Sequence, residues 1–291
     1  MAAASSQDPA AVFDQLRPAL IRAAYRMLGS VADAEDVVQD AFLRWLDVDR
    51  DAVREPAAFL RRVIMRLCLD RLRSIRRERE IYLGTWLPEP VVESGEDVMD
   101  DVTLPLLMAL ERLSPLERAA FLLHDVFGLG FEEVAATIDR EPEACRQLAS
   151  RARGHVRADR PRYAVSRERG LAIAEAFFAA SRHGDTERLR ALLAGDVTLY
   201  ADGGGKVPAR KTPAVGRNDV MRVYAGFAAV YAMSKSRVVR YGFISGLPGF
   251  ITVERGDILQ TTALEIEHDS IVAIYIVRNP EKLRHVAGTM H

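Results

Sequence analysis

The stretch Phe131–Val156, FEEVAATIDREPEACRQLASRARGHV, constrains this chain more than any other. Phe131, Val134, Ala135 and Ile138 recur at helical spacing and predict a short helix over 131–138. Asp139-Arg140-Glu141 interrupts the pattern. Pro142 then suits the first position of a second helix, where its missing N–H is not needed. That helix gathers Cys145, Leu148, Ala149, Ala152 and Val156 on one face and Arg146, Gln147, Ser150, Arg153 and Arg157 on the other. Two short helices around a tight turn, the second with a polar, Arg-rich outer face, make a helix-turn-helix. Arg and Gln can bond base edges in the major groove, and later arginines can hold phosphates. From this stretch alone, an ordinary helical hairpin with a solvated basic face is the alternative.

The rest of the chain is organised in blocks of charge. Residues 33–51 hold seven acids against Arg44 and Arg50, and residues 54–79 hold nine arginines against three acids. Residues 89–101 hold six acids and no base, and residues 140–162 hold seven arginines against three acids. The net charge of −1 excludes a generally basic nucleic-acid coat. Alternating blocks instead suit one partner with basic docking sites and another that is a polyanion. No run of about 18 apolar residues predicts a membrane span, and the N-terminal MAAASSQDPAA has neither a basic nor an apolar signal region. Cys68 and Cys145 fall in helical patterns and read as buried thiols, not metal ligands. The expectation is a cytoplasmic protein with no membrane partner, no metal and no cofactor.

At 291 residues there is room for two or three domains. Residues 11–80 read as all helix. Phe13–Leu28 stops at Gly29, and Ser30 or Asp33 can cap the next helix. Ala34, Val37, Val38, Ala41, Phe42 and Trp45 form its apolar stripe, leaving Asp36, Gln39 and Asp40 facing outward. A long helix starts at Pro56, with Phe59, Leu60, Val63, Ile64 and Leu67 inward and Arg62, Arg66, Arg73 and Arg77 aligned on one side. Residues 81–102 contain Gly84, Pro88, Pro90 and Gly95 and cannot be a regular helix. Tyr82, Trp86 and Leu87 are nevertheless too apolar for a solvated linker, so this segment is expected to dock, with its acidic half exposed. Residues 103–162 are helical again. Ser114-Pro115-Leu116-Glu117 signals a helix start, and that helix is expected to run to Phe127. Beyond Pro161, helices over 168–182 and 186–193 come first and strand-like runs follow at 197–201, 238–244, 250–255, 258–267 and 271–278, with one more helix over 216–233. That order predicts an α+β domain over 168–285, a sheet wrapped around a helical lid.

Four segments together resemble the extracytoplasmic-function, or group IV, sigma factors of bacterial RNA polymerase. They are DAEDVVQDAFLRW (33–45), EPAAFLRRVIMRLCLDRLRS (55–74), LSPLERAAFLLHDVFGLGFEEVA (113–135) and ACRQLASRAR (144–153). The resemblance implies a sigma-2 domain over 8–80 and a sigma-4 domain over 103–162. It implies that Asp36, Gln39 and Asp40 grip the polymerase clamp, and that Arg62, Arg66, Arg73 and Arg77 serve the minus-10 element. It also implies that Arg146, Gln147, Ser150, Arg153 and Arg157 read and hold the minus-35 element. The acidic linker would thread between the domains, and the partners would be core polymerase, through clamp and flap, and promoter DNA. One departure is Gly130, which stands where many such units carry a capping Ser or Thr.

YLGTWLPEP (82–90), DGGGK (202–206) and NPEKL (279–283) are similar to the branch of these factors with a C-terminal SnoaL-like extension. That implies an α+β cone with a curved antiparallel sheet, acting as a built-in regulator. Trp86, Leu87 and Pro88 are expected to meet Asp202, Gly203, Gly204, Gly205 and Lys206, where the glycines permit close approach of another backbone. The second hypothesis is isomerase or cyclase activity, or a small-molecule ligand, in the cone. Asp202, Lys206, Glu265 and His268 would be its acid–base candidates. DGGGK also reads as a glycine turn flanked by an exposed Asp–Lys pair.

Overall fold

The structure is a computed structural model that describes residues 9–49, 53–93, 103–158, 165–233 and 236–288, with backbone alone at residue 9 and over 76–80, 157–158 and 227–233. The Arg77 and Arg157 side chains and the acidic stretch 94–102 lie outside the described residues. The chain forms two compact units, one from residues up to 78 with 109–158, the other from 79–108 with the C-terminal part.

The first unit is all helix. α1 spans Pro9–Leu28, α2 Val31–Leu46 and α3 Pro56–Glu80. Ser30 caps α2, its Oγ accepting from Asp33 N at 3.1 Å. Ala34, Val37, Val38, Ala41 and Trp45 bury the stripe that the spacing predicts. α4, Leu104–Glu111, begins in the second unit and ends in the first, and α5, Pro115–Phe121, opens on a reciprocal capping box between Ser114 and Glu117. Where the sequence suggests one helix to Phe127, α5 gives way to a π-helical turn over Leu122–Val126, closed by Phe127 N donating to Leu122 O at 2.9 Å. The wider turn keeps Leu122 and Leu123 buried and stacks His124 on Phe131, ring centroids 3.9 Å apart. α6 is Phe131–Ile138 and α7 Pro142–Ala158. Asp139, at φ 56°, makes the left-handed step between them.

The second unit is α+β: α8 Arg167–His183, α9 Thr186–Leu192, β1 Leu193–Asp202, β2 Ala214–Val215, α10 Arg217–Met233, β3 Arg237–Ile244, β4 Leu247–Glu254, β5 Ile258–Glu267, β6 Ser270–Val277 and α11 Arg284–Gly288. The sheet order is β2-β1-β6-β5-β4-β3. All neighbours are antiparallel except β1 and β6, which run parallel; β2, α10 and the strands β3–β5 lie between them in the chain. The short strand β2 and the helix α11 carry no strong periodic signal and escape the sequence reading. β1 also begins earlier than expected, across a bulge between Leu193 and Thr198.

Alternation along the strands gives the sheet two apolar faces. On one, Val197, Leu199, Phe250, Leu264 and Ile274 pack with Ile173 and Phe177 of α8 and Val220 and Tyr224 of α10. On the other, Ile244, Ile251, Ala263, Tyr275 and Val277 pack with Leu87, Leu104, Leu283 and Val286. The second face is therefore covered by the linker, the first turn of α4 and the C-terminal helix. This unit extends beyond both expected boundaries: it takes in residues 103–108 and continues past residue 285 to the buried Val286.

Candidate nucleic-acid interface and linker site

In the first unit, Asp36, Gln39 and Asp40 are exposed on α2, opposite its buried stripe. Leu43 and Leu46, 54% and 43% exposed, continue that outer face toward the helix end. A hollow of about 250 Å³ opens at Gln39, lined also by Phe13, Asp14, Arg17, Val38 and Phe42. The sequence reading missed the two leucines because they fall outside the apolar stripe.

The α3 arginines are not alike. Arg62 is exposed. Arg73 is exposed and pairs with Asp70 at 2.8 Å. Arg66 donates to two carbonyls at the end of α6, Ala136 O at 2.9 Å and Thr137 O at 3.2 Å. As a residue expected to face DNA, Arg66 is thus already engaged by the helix-turn-helix.

α6 and α7 follow the expected geometry. Gly130 begins α6, and Glu133 Oε2 accepts from Gly130 N at 3.1 Å, so the carboxylate half of a capping box persists without a hydroxyl. Cys145, Leu148, Ala149, Ala152 and Val156 are buried. Arg146, Gln147 and Ser150 are exposed. Arg146 pairs with Glu143 at 3.1 Å and lies 5.4 Å over the Phe131 ring. Arg153 is only part-exposed and is tied to Asp125 at 2.6 Å. Arg151, which the sequence reading passed over, reaches Glu117 at 2.9 Å. Burial opposes ionisation of Glu117, but hydrogen bonds from Ser114 and Arg151 outweigh it and hold that carboxyl below its usual range.

In the second unit the linker residues meet the DGGGK turn around one carboxylate. Asp202 is fully buried. Its Oδ2 accepts from Leu87 N at 2.9 Å and from Lys282 Nζ at 2.8 Å. Its Oδ1 accepts from Tyr82 OH at 2.6 Å and Gly204 N at 3.0 Å. Lys282 also donates to Leu87 O at 2.5 Å and sits 4.0 Å over the Trp86 ring. Asn279 donates to Tyr82 OH at 2.9 Å. Burial first, then the hydrogen bond to Asp202, push the Tyr82 hydroxyl far up, so it remains a donor. Leu87 is fully buried, Pro88 is buried and Trp86 is half-buried.

The glycines are dictated by crowding. Gly204 and Gly205 have φ of 61° and 70°, and a Cβ on Gly204 would lie 2.3 Å from Asn279 Nδ2. A Cβ on Gly203 would lie 2.4 Å from Val207 O, and one on Gly205 would lie 2.9 Å from Leu83 Cδ1. The exposed Asp202–Lys206 pair suggested by the sequence is not formed. Lys206 pairs with Glu281, and Asp202 points into the protein, to Lys282. Both partners come from the NPEKL segment.

Two further anchors fix the linker. Ser245, at φ 45° in the β3–β4 turn and 2% exposed, donates from N to Val91 O at 2.7 Å and accepts from Val91 N through Oγ at 3.0 Å. Its carbonyl accepts from Leu104 N at 2.9 Å. His285 Nε2 donates to Pro90 O at 2.7 Å. One turn thus grips the linker at residue 91 and again at residue 104.

The acid–base candidates do not form one site. Asp202 holds the linker, Glu265 accepts from Tyr275 OH at 2.8 Å, and His268 is exposed on the β5–β6 turn. Among the described residues, no group of His, Cys, Asp and Glu is placed to hold a metal, and no helix is long and apolar enough to cross a membrane.

Comparison with known proteins agrees with this arrangement. Residues 12–78 match the Sigma-70 region 2 family, and residues 103–156 match Sigma-70, region 4. The chain is 37% identical over 290 residues to the ECF RNA polymerase sigma factor SigJ of Mycobacterium tuberculosis (strain ATCC 25618 / H37Rv), covering 93% of this chain and 91% of that one. It is 32% identical over 293 residues to the probable ECF RNA polymerase sigma factor SigI of the same organism, covering 96% of each. The crystal structure of M. tuberculosis SigJ aligns at 33% identity with a TM-score of 0.74, over 94% of this chain and 98% of that one. The likeness runs through the C-terminal unit as well as the two sigma regions, and the chain belongs to the ECF RNA polymerase sigma factors.

Proposed function

We propose that this sigma factor is regulated by its own C-terminal, SnoaL-like unit, which holds the linker between the sigma regions and so limits their separation. The observation that carries this is the buried Asp202 carboxylate, which binds the linker at Tyr82 and Leu87. Residues 81–103 separate α3 from α4. Fully extended they reach about 80 Å. Minus-10 and minus-35 elements lie about 25 base pairs apart, also roughly 80 Å at about 3.4 Å per pair. With Leu87, Val91 and Leu104 all anchored on the second unit, only residues 81–86 can extend, about 20 Å. A chain in that state cannot place sigma-2 and sigma-4 on both elements, so linker release precedes initiation. Any factor that favours the undocked state shifts the balance.

Run-off transcription at limiting core polymerase tests this, comparing the full-length protein with Trp86→Ala and Tyr82→Phe. Both variants weaken docking and are expected to raise transcript yield. Unchanged yield refutes the regulator, and reduced yield shows instead that the C-terminal unit braces the open form.

Within the sigma regions, Asp36, Gln39 and Asp40 are assigned to the polymerase clamp, and Arg62, Arg66 and Arg73, with Arg77, to the minus-10 strand. Arg146, Gln147 and Ser150 are assigned to minus-35 base edges, and Arg153 and Arg157 to phosphates. Their exposure on α7 supports the base-reading set. Arg146→Ala is expected to lose about 1–3 kcal/mol and to relax preference at one minus-35 position. Arg153→Ala is expected to weaken holoenzyme binding to all promoters alike, because phosphate contacts carry no sequence information. Binding measured across single-base promoter variants separates the two. A uniform loss from Arg146→Ala reverses the assignment.

A further inference from the structure

Sigma-2 and sigma-4 are joined in the first unit by arginines that exchange places. Arg118 of α5 is 2% exposed, and its Nη1 donates to Met27 O, at the end of α1, at 2.6 Å. Its Nε donates to Leu110 O at 2.9 Å, and Glu111 balances the charge at 3.0 Å. In the opposite sense, Arg66 of α3 donates to Ala136 O and Thr137 O at the end of α6. Arg26 of α1 adds a guanidinium 5.8 Å over the ring of Phe127. The last carbonyls of a helix lack intrahelical partners and carry partial negative charge, so Arg118 and Arg66 each satisfy a helix end in the other sigma region. A surface ion pair would contribute little here. A buried guanidinium spanning two helix ends is a stronger fastener, because removing it strands buried acceptors.

We propose that Arg66 and Arg118 form a reciprocal clasp that keeps sigma-4 against sigma-2 and occupies a strand-binding arginine until polymerase separates the two regions. The proposal rests on the assignment of α3 to the minus-10 strand. Hydrogen bonds of 2.6–3.2 Å between sigma-2 and sigma-4 cannot coexist with both regions bound to elements roughly 80 Å apart. The clasp must therefore open in the initiation complex. Once it opens, Arg66 exchanges two carbonyls of α6 for DNA, so the contact that stabilises the closed state also masks a residue needed in the open one. This device is separate from the linker site, which uses none of these residues.

The test uses the full-length chain labelled for double electron–electron resonance at Glu35→Cys and Glu141→Cys, both exposed positions. Cys68 and Cys145 are fully buried and do not compete for the label. The wild type is expected to give one narrow distance distribution. Arg118→Met and Arg66→Met are expected to add a longer, broader population and to tighten binding of core polymerase by roughly fivefold or more. Arg118→Lys keeps a charged donor near Met27 O and is expected to stay close to wild type. Permanganate footprinting supplies the discriminating readout: promoter opening falls for Arg66→Met and not for Arg118→Met. Unchanged distances together with unchanged or weaker polymerase binding in both methionine variants overturn the clasp. Should Arg118→Met fail to fold, unchanged distances and unchanged or weaker polymerase binding in the exposed Arg66→Met alone overturn the clasp. Tighter polymerase binding with normal promoter opening in Arg66→Met would leave the clasp standing and remove α3 from the minus-10 assignment.

Discussion

Asp202→Ala is expected to lower the stability of the C-terminal unit by about 3–5 kcal/mol, the loss typical when one partner of a buried ion pair is removed. The variant removes the carboxylate that balances the charge of Lys282, whose side chain is 9% exposed and lies against the Leu87 carbonyl and the Trp86 and Tyr82 rings. It also deprives Tyr82 OH, Leu87 N and Gly204 N of their acceptor. The result is not merely a weaker domain: the linker loses the group that orients it, and protease sensitivity at residues 81–93 is expected to rise before global unfolding. Chemical denaturation measures the first effect and limited proteolysis the second. Two companions separate stability from docking. Tyr82→Phe removes the two hydrogen bonds of the hydroxyl, to Asp202 and from Asn279, about 0.5–1.5 kcal/mol each, and leaves the ion pair intact. Asp202→Leu with Lys282→Met removes both charges and is expected to recover part of the stability without restoring the linker contact. If Asp202→Ala unfolds within about 0.5 kcal/mol of wild type, the carboxylate does not organise this site.

What could be read in the sequence was local. Apolar spacing placed α2, α6 and α7, and capping chemistry placed the start of α5, because a helix encodes its faces and ends within a few residues. Trp86 and Leu87 signalled docking because an irregular segment rarely carries such residues in solvent. Their partner was only half legible. DGGGK suggested a close approach of backbones, yet Lys206, four residues on, looked like the natural mate of Asp202. The true partner, Lys282, is 80 residues away, and proximity in sequence carries no information about pairs made across a sheet. Ser245 gave no signal at all, since its role depends on a left-handed turn conformation that glycine or asparagine adopts more readily. Arg118 was hidden for the opposite reason: an arginine one position after Glu117 reads as surface charge, whereas here it is buried beneath two helix ends.

The double variant Asp36→Arg, Asp40→Arg is expected to abolish binding to core polymerase while leaving helical content unchanged. Neither residue supports α2. The helix is held by the Ser30 cap and by the buried stripe from Ala34 to Trp45, and both carboxylates are exposed on the opposite side. Reversing two acids turns attraction to a basic surface into repulsion, which slows encounter as well as weakening the complex. If each position contributes about 2 kcal/mol, the lower bound for an interface hot spot, affinity falls by roughly three orders of magnitude. The apolar residues beside them make a distinct forecast. Leu43→Gln with Leu46→Gln leaves the charge of the acidic face unchanged and removes exposed apolar surface at the end of the same helix. It is expected to raise the dissociation rate with little change in association. Surface-immobilised polymerase resolves the two phases, and circular dichroism checks the fold. Survival of polymerase binding in the Asp36, Asp40 double variant would move the grip off this face of α2. Loss of binding together with loss of helix signal would assign the two acids to the fold and not to docking.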